Sequence, residues 1–179
     1  MSVSKYYNRE YMDICKKKGY PISPNGIGQS GEAVACALLE YFPIFRACFV
    51  DGKEPIIDVY FELMDENTPY QALAQIKTTS QKPYADGSQK TPVAQEKYDA
   101  LLNRPLPTYV FSVDINKGSM IFIPAFQSAV VDRVGGTHKV DFTDLGNLSD
   151  EMDKLRDDII AYWHFFKLPV SKNTYKSSL

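Results

Sequence analysis

Two adjoining runs of mainly apolar positions dominate the middle of the chain. Pro55-Ile-Ile-Asp-Val-Tyr-Phe-Glu-Leu-Met64 and Tyr70-Gln-Ala-Leu-Ala-Gln-Ile-Lys-Thr-Thr79 are rich in β-branched, aromatic and apolar residues. Both read as strands. Asp65-Glu-Asn-Thr-Pro69 between them is turn material, so the pair predicts a β-hairpin. Further strands are expected over 44–50, over the strongly apolar 108–113 and over 120–123, with a short edge strand at 138–142. Asp114-Ile-Asn-Lys-Gly118 reads as a turn.

Elsewhere the apolar positions recur with helical period. Tyr7, Tyr11, Ile14 and Cys15 share a stripe over 4–18, with Gly19 as a stop. From Ile27 to Phe42 the stripe is Ile27, Val34, Leu38 and Tyr41, widened by Ala35, Leu39 and Phe42, and Pro43 ends it. A helix over 93–104 turns Val93, Tyr98, Leu101 and Leu102 inward. Pro124 is a plausible helix start through Val134, before Gly135-Gly136 breaks the pattern. Ser149 reads as the cap of a last helix, with Met152, Leu155, Ile159, Tyr162 or Trp163, and Phe166 buried. Residues 80–92 form a polar loop, and 167–179 a tail. Helices interleaved with apolar strands predict one domain over 1–179, a three-layer α/β fold with a mixed central β-sheet flanked by helices.

Composition narrows the function classes. The chain has 179 residues, 44% hydrophobic and 23% charged, with a formal net charge of −2. That is enough for one core and carries no global basic signature. Cys15, Cys36 and Cys48 show no CxxC spacing, which fits a reducing compartment. With His138 and His164 as the only histidines, zinc-finger and His-rich metal sites are nearly excluded. The N-terminus lacks an apolar signal core and no apolar run is long enough for a bilayer, so a cytoplasmic protein without membrane association is expected.

The candidate chemistry lies in the hairpin. Asp58 sits among apolar neighbours, where a lone carboxylate is costly unless paired or bound to a metal. Side chains alternate along a strand, so Gln75 and Lys77 share one face and Ile76 takes the other. A carboxylate, an amide oxygen and a lysine on adjacent strands suit a divalent cation beside a phosphate-directed ammonium. Glu32 lies in the first turns of the preceding helix. Glu62 shares Asp58's strand face and is a reserve ligand, although a solvated carboxylate is the simpler reading. Lys16-Lys17-Lys18, Lys82 and Lys90 read first as solvated charges, with a phosphate path as the alternative for Lys82 and Lys90. Gly26-Ile-Gly28-Gln-Ser-Gly31 matches GxGxxG, with Asp51 at ribose-contact distance downstream, but no buried strand precedes it.

With Gly31-Glu32 on the first helix, Ile57-Asp58 on the second strand, Gln75-Ile-Lys77-Thr78 on the third and the Leu106-Pro-Thr-Tyr-Val-Phe-Ser-Val strand downstream, the chain resembles the PD-(D/E)xK nuclease superfamily. The resemblance is to small prokaryotic restriction-endonuclease-like domains with a QxK variant, of the Mrr type. It covers roughly residues 26–124, leaving 125–166 as a C-terminal helical extension. Gln75 stands where the commoner ExK form has an acid, and Ile57 where the family name has proline.

The resemblance implies a restriction-endonuclease-like fold and hydrolysis of phosphodiester bonds in DNA with Mg²⁺, or Mn²⁺ in its place. Asp58 would be the main metal ligand, joined by the Gln75 amide oxygen and the Ile76 carbonyl. Glu32 would hold a second ion or a bound water, and Lys77 would orient the attacking water and neutralise phosphate charge. It further implies a role in restriction or phage defence, as a homodimer or in a larger defence complex. Two alternatives stay open: a catalytically inactive nuclease-like module binding nucleic acid or a protein partner, and a dinucleotide-binding α/β protein using Gly26–Gly31.

Overall fold

A computed structural model of the chain describes residues 17, 24–50, 56–64, 70–79, 84–86, 88–90, 93–115, 117–125, 133–134 and 138–166. Among these, the elements follow the order α1 (Pro24–Leu39), β1 (Phe45–Phe49), β2 (Val59–Leu63), β3 (Gln71–Thr79), β4 (Gln89–Lys90), α2 (Gln95–Leu102), β5 (Thr108–Asp114), β6 (Ser119–Pro124), β7 (Arg133–Val134), β8 (Lys139–Asp141) and α3 (Leu145–Phe166). Six strands form a mixed sheet in the order β1-β2-β3-β5-β6-β8, and β4 and β7 form a separate two-stranded ribbon.

The predicted hairpin is present, with β2 antiparallel to β3 in a register that sets Val59 against Ala74. Strand β5 joins β3 in parallel, whereas its other neighbour, β6, is antiparallel. A parallel pair needs a crossover, and α2 lies within it. Strand alternation then divides the core into two. Val59, Phe61, Ala74, Ile76, Phe111, Val113 and Met120 face one side, against Val34, Leu38 and Leu39 of α1 and Leu148, Met152, Leu155 and Ile159 of α3. Val110, Ile121 and Ile123 face the other, against Tyr98 and Leu101 of α2 and the loop residues Ile57 and Val93. The architecture is α/β, with helices on both faces of a mixed sheet.

Several sequence expectations are corrected. The helix expected from Pro124 fails at both described ends: Pro124 closes β6, and Arg133–Val134 is a strand paired with Gln89–Lys90. Residues 126–132 lie outside the described set. The same pairing puts β4 inside the expected 80–92 loop. Leu102 is 44% exposed rather than inward. The expected 4–18 helix falls outside the described residues except for Lys17, which is helical. Lys82 and the 167–179 tail also lie outside them.

The last helix begins four residues before Ser149. Asp144 caps it, its Oδ1 accepting the Asn147 N–H at 3.0 Å while its carbonyl accepts the Leu148 N–H at 2.9 Å. Earlier initiation adds Leu148 to the stripe of Met152, Leu155 and Ile159, at i, i+4, i+7 and i+11. Asp144→Ala is expected to cost about 0.5–2 kcal/mol, the usual loss for an N-cap side chain. Ser149→Ala, inside the helix, is expected to leave the melting temperature nearly unchanged. Thermal denaturation of the two variants checks the assignment.

Candidate active site

The candidate residues meet at one end of the sheet because of how the elements run. Parallel strands β3 and β5 point their C-terminal ends the same way. The crossover helix α2 must start above those ends to return to the start of β5. Strand β2 runs against β3, so its N-terminal end, with Asp58, lies there too. Ligand sites of α/β sheets gather at such carboxyl ends.

At this point β2 and β3 part. The last regular pair is Val59 with Ala74, and one residue off that register the Asp58 N–H donates to the Ala74 carbonyl at 3.0 Å. Beyond it the next β3 amide facing that side, Ile76 N–H, has no β2 carbonyl to meet. The Asp58 carboxylate takes its place, with Oδ2 accepting the Ile76 N–H at 2.6 Å. Continuing the register sets Asp58 against Gln75, whose Nε2 donates to the same Oδ2. That Nε2 also approaches the Ile76 carbonyl at 3.4 Å. Gln75 is 3% exposed, and its Oε1 is buried without a hydrogen-bond partner among the described residues. A buried orphan acceptor is uncommon and unfavourable.

Lys77 follows on the same face, in register with the buried Ser112 of β5. Ser112 in turn donates to Gln89 Oε1 of β4. The ribbon therefore flanks the Lys77 side of the site, and Lys90 sits in it opposite Arg133.

Glu32 arrives from α1, which approaches β3 very closely. Thr78 Oγ1 lies 3.4 Å from the Gly28 carbonyl, and a Cβ placed on Gly31 would stand 1.8 Å from Thr78 Oγ1. The bare glycine lets the helix sit against the strand and delivers the next residue to the strand end. The glycines of the GxGxxG match thus lie within α1 rather than in a strand-to-helix turn, which is the geometry a dinucleotide fingerprint requires. Asp51 lies outside the described residues.

Electrostatics tie these groups together. Burial, reinforced by the Asp58 charge, raises the Glu32 carboxyl above its usual value, with Lys77 opposing. Burial also raises Asp58, against the Ile76 N–H, Lys77, Gln75 and Lys97. Lys77 is lowered, first by burial, while Asp58 and Glu32 pull it back up and Lys97 pushes it further down. Each of the three is thus displaced toward neutrality by burial and resisted by an opposite charge, a pattern that recurs at functional sites.

The structure brings Glu32, Asp58, Gln75, Ile76 and Lys77 together. It does not bring in Glu62, about 13 Å along β2 from Asp58 at four residues' rise. Glu62 pairs with Arg46 at 3.4 Å across β1 and accepts from Tyr60. Lys97 of α2 is a site neighbour that the sequence reading passed over. Its position between Val93 and Leu101, one turn from each on the inward stripe, was the available signal.

The donors fit a hard divalent cation in kind: two carboxylates, an amide oxygen without a partner and a backbone carbonyl, all oxygen. Among the described residues no group of three or more His, Cys, Asp and Glu side chains is poised to hold a metal. Any such ion therefore depends on the amide and the carbonyl to complete its ligands. No helix among the described residues is long and apolar enough to cross a membrane. Comparison of the chain with protein-family models, curated proteins and solved structures finds no match.

Proposed function

We propose that this site hydrolyses phosphodiester bonds in DNA with the help of Mg²⁺, as a QxK variant of the PD-(D/E)xK nucleases with their restriction-endonuclease-like fold. One observation carries the reading: where β2 and β3 part, the Asp58 carboxylate, the Gln75 amide and the Ile76 backbone share one point, with Lys77 and Glu32 in electrostatic reach.

Asp58 and the Ile76 carbonyl would hold the ion, with Gln75 offering its orphaned Oε1 and Glu32 binding a second ion or a bound water. When bound, Mg²⁺ would act as Lewis acid and template for the phosphate. Asp58 is kept in place by the Ile76 N–H, so its carboxylate enters the site without a search through rotamers. Lys77 projects along the same strand face and would neutralise charge building on the phosphate. Burial lowers its pKa and so leaves more of it as the neutral amine, the form that can orient the attacking water and accept its proton. A defence role, in a homodimer or a larger complex, is the setting that the resemblance suggests.

A second reading, a nucleic-acid-binding module without cleavage, draws on the Gln75 amide, which turns its N–H₂ rather than its oxygen toward Asp58. One experiment separates the two. Purified protein is incubated with duplex and single-stranded DNA and RNA in Mg²⁺, Mn²⁺ or EDTA, alongside Asp58→Asn and Lys77→Ala. Asn keeps an acceptor for the Ile76 N–H while removing the charge. Cleavage of DNA that needs the metal and is lost in both variants, with metal affinity by calorimetry falling for Asp58→Asn and persisting in Lys77→Ala, is the expected result. DNA binding without cleavage under any metal selects the second reading.

A further inference from the structure

Lys97 occupies an unusual place for a lysine. It lies in the first turn of α2, one turn before Leu101, which is 1% exposed and packed against the sheet. Tyr98 beside it is buried as well, with its hydroxyl donating to the Ala125 carbonyl at 2.7 Å. The stripe that carries Lys97 thus faces the sheet, and Lys97 itself is half-buried. The crossover places this turn over the C-terminal end of β3, where Lys77 projects from the same sheet face.

The local charges are arranged without local pairing. The Asp58 carboxylate spends its contacts on the Ile76 N–H and the Gln75 amide. Neither lysine makes an ion pair or side-chain hydrogen bond among the described residues. Yet the Lys97 charge acts on both Asp58 and Lys77. Two half-buried ammonium groups at the same end and face of the sheet repel each other, and such repulsion is relieved by an anion between them. A lysine whose only task was solubility would sit on the outer face of α2, beside Glu96 and Asp99, which are exposed.

We infer that Lys97 is a second phosphate-binding cation of this site, contacting the DNA backbone at the scissile phosphate or its neighbour from the helix side while Lys77 contacts it from the strand. The inference rests on the nuclease reading for its substrate class. It adds a contact from α2, on the sheet face opposite α1, and makes the crossover helix part of the substrate grip.

The test is duplex-DNA binding by fluorescence anisotropy in EDTA across a salt titration, with Mg²⁺-dependent cleavage assayed in parallel. Lys97→Met keeps the aliphatic stem beside Leu101, and Lys97→Gln serves if Met does not fold. The control is Lys139→Met, an exposed position on the edge strand β8. Loss of one charged phosphate contact is expected to weaken binding about tenfold and to make the plot of log affinity against log salt shallower by about one. Lys97→Arg should restore the slope, and Lys139→Met should not change it. Unaltered affinity and slope in Lys97→Met overturn the inference, and if wild type still cleaves, the nuclease reading survives alone. A wild type that binds with the Lys97-dependent slope but cleaves nothing keeps Lys97 as a phosphate contact and overturns the nuclease reading. Failure of wild type to bind DNA overturns both.

Discussion

Gly31→Ala is expected to lower the melting temperature by roughly 2–12 °C and to cripple the site at the same time. On helix propensity alone the change should help, because glycine inside a helix is worse than alanine by about 1 kcal/mol. Packing reverses the sign. The new Cβ would fall 1.8 Å from Thr78 Oγ1, 2.8 Å from Thr78 Cβ and 2.9 Å from Thr78 Cγ2. Rotating χ1 of Thr78 can turn its Hβ toward the new methyl, but its Cβ, 2.8 Å away, belongs to a paired strand and cannot swing away. The helix must therefore lift off β3, at the roughly 1–3 kcal/mol or more that overpacking costs. Lifting α1 also withdraws Glu32 from Asp58 and Lys77. Gly31→Ala with Thr78→Gly removes all three short contacts and should recover most of the lost stability. Differential scanning calorimetry of the single and double variants checks this. A single variant as stable as wild type would show that the close approach of α1 is not what positions Glu32.

Much of this site was legible from strand alternation. Asp58, just before β2, and Gln75 and Lys77 on β3 belong to antiparallel strands close in sequence, so the register that pairs them follows from local pattern. Glu32 followed from its place on a strongly periodic helix, although α1 begins at Pro24 rather than Ile27 and carries Glu32 at mid-length instead of in its first turns. The misses have physical causes. Strands β4 and β7 have two residues each, too few for any period to show. The last helix was started late because Ser149 and Asp144 are both good caps, and only the burial of Leu148 decides between them. Lys97 was passed over because a lysine on an amphipathic helix is usually solvated. What brings it to the site is the direction of a crossover that parallel pairing of β3 with β5 imposes, and that pairing spans 35 positions from Leu73 to Thr108.

Gln75→Glu is expected to uncouple stability with metal from stability without it. In the wild-type protein the Gln75 Nε2 donates to Asp58 Oδ2, and burial already raises the Asp58 carboxyl. Glutamate has nearly the same shape, so packing changes little. It removes the donor and sets a second carboxylate against the first. Two like charges in contact cannot both stay ionised cheaply, so one must take a proton or the strands must part. Without divalent metal the variant should lose about 1–3 kcal/mol, the penalty of an unsatisfied buried group, or roughly 2–12 °C in melting temperature. A hard cation between the two carboxylates converts that repulsion into ligand charge, and ligand charge raises affinity for such ions. Saturating Mg²⁺ at about 100 times its dissociation constant adds about 2.7 kcal/mol to any protein that binds it only when folded. Tighter binding by the variant means that it gains more than wild type at each subsaturating concentration. Melting curves of both proteins over a Mg²⁺ titration should therefore converge, while half-maximal cleavage moves to lower Mg²⁺ in the variant. Curves that stay parallel, with the variant equally depressed at every Mg²⁺ concentration, would make Gln75 a scaffold amide whose one task is to hold Asp58. Glu32, Asp58 and a single carbonyl would then be too few protein ligands for the chemistry proposed.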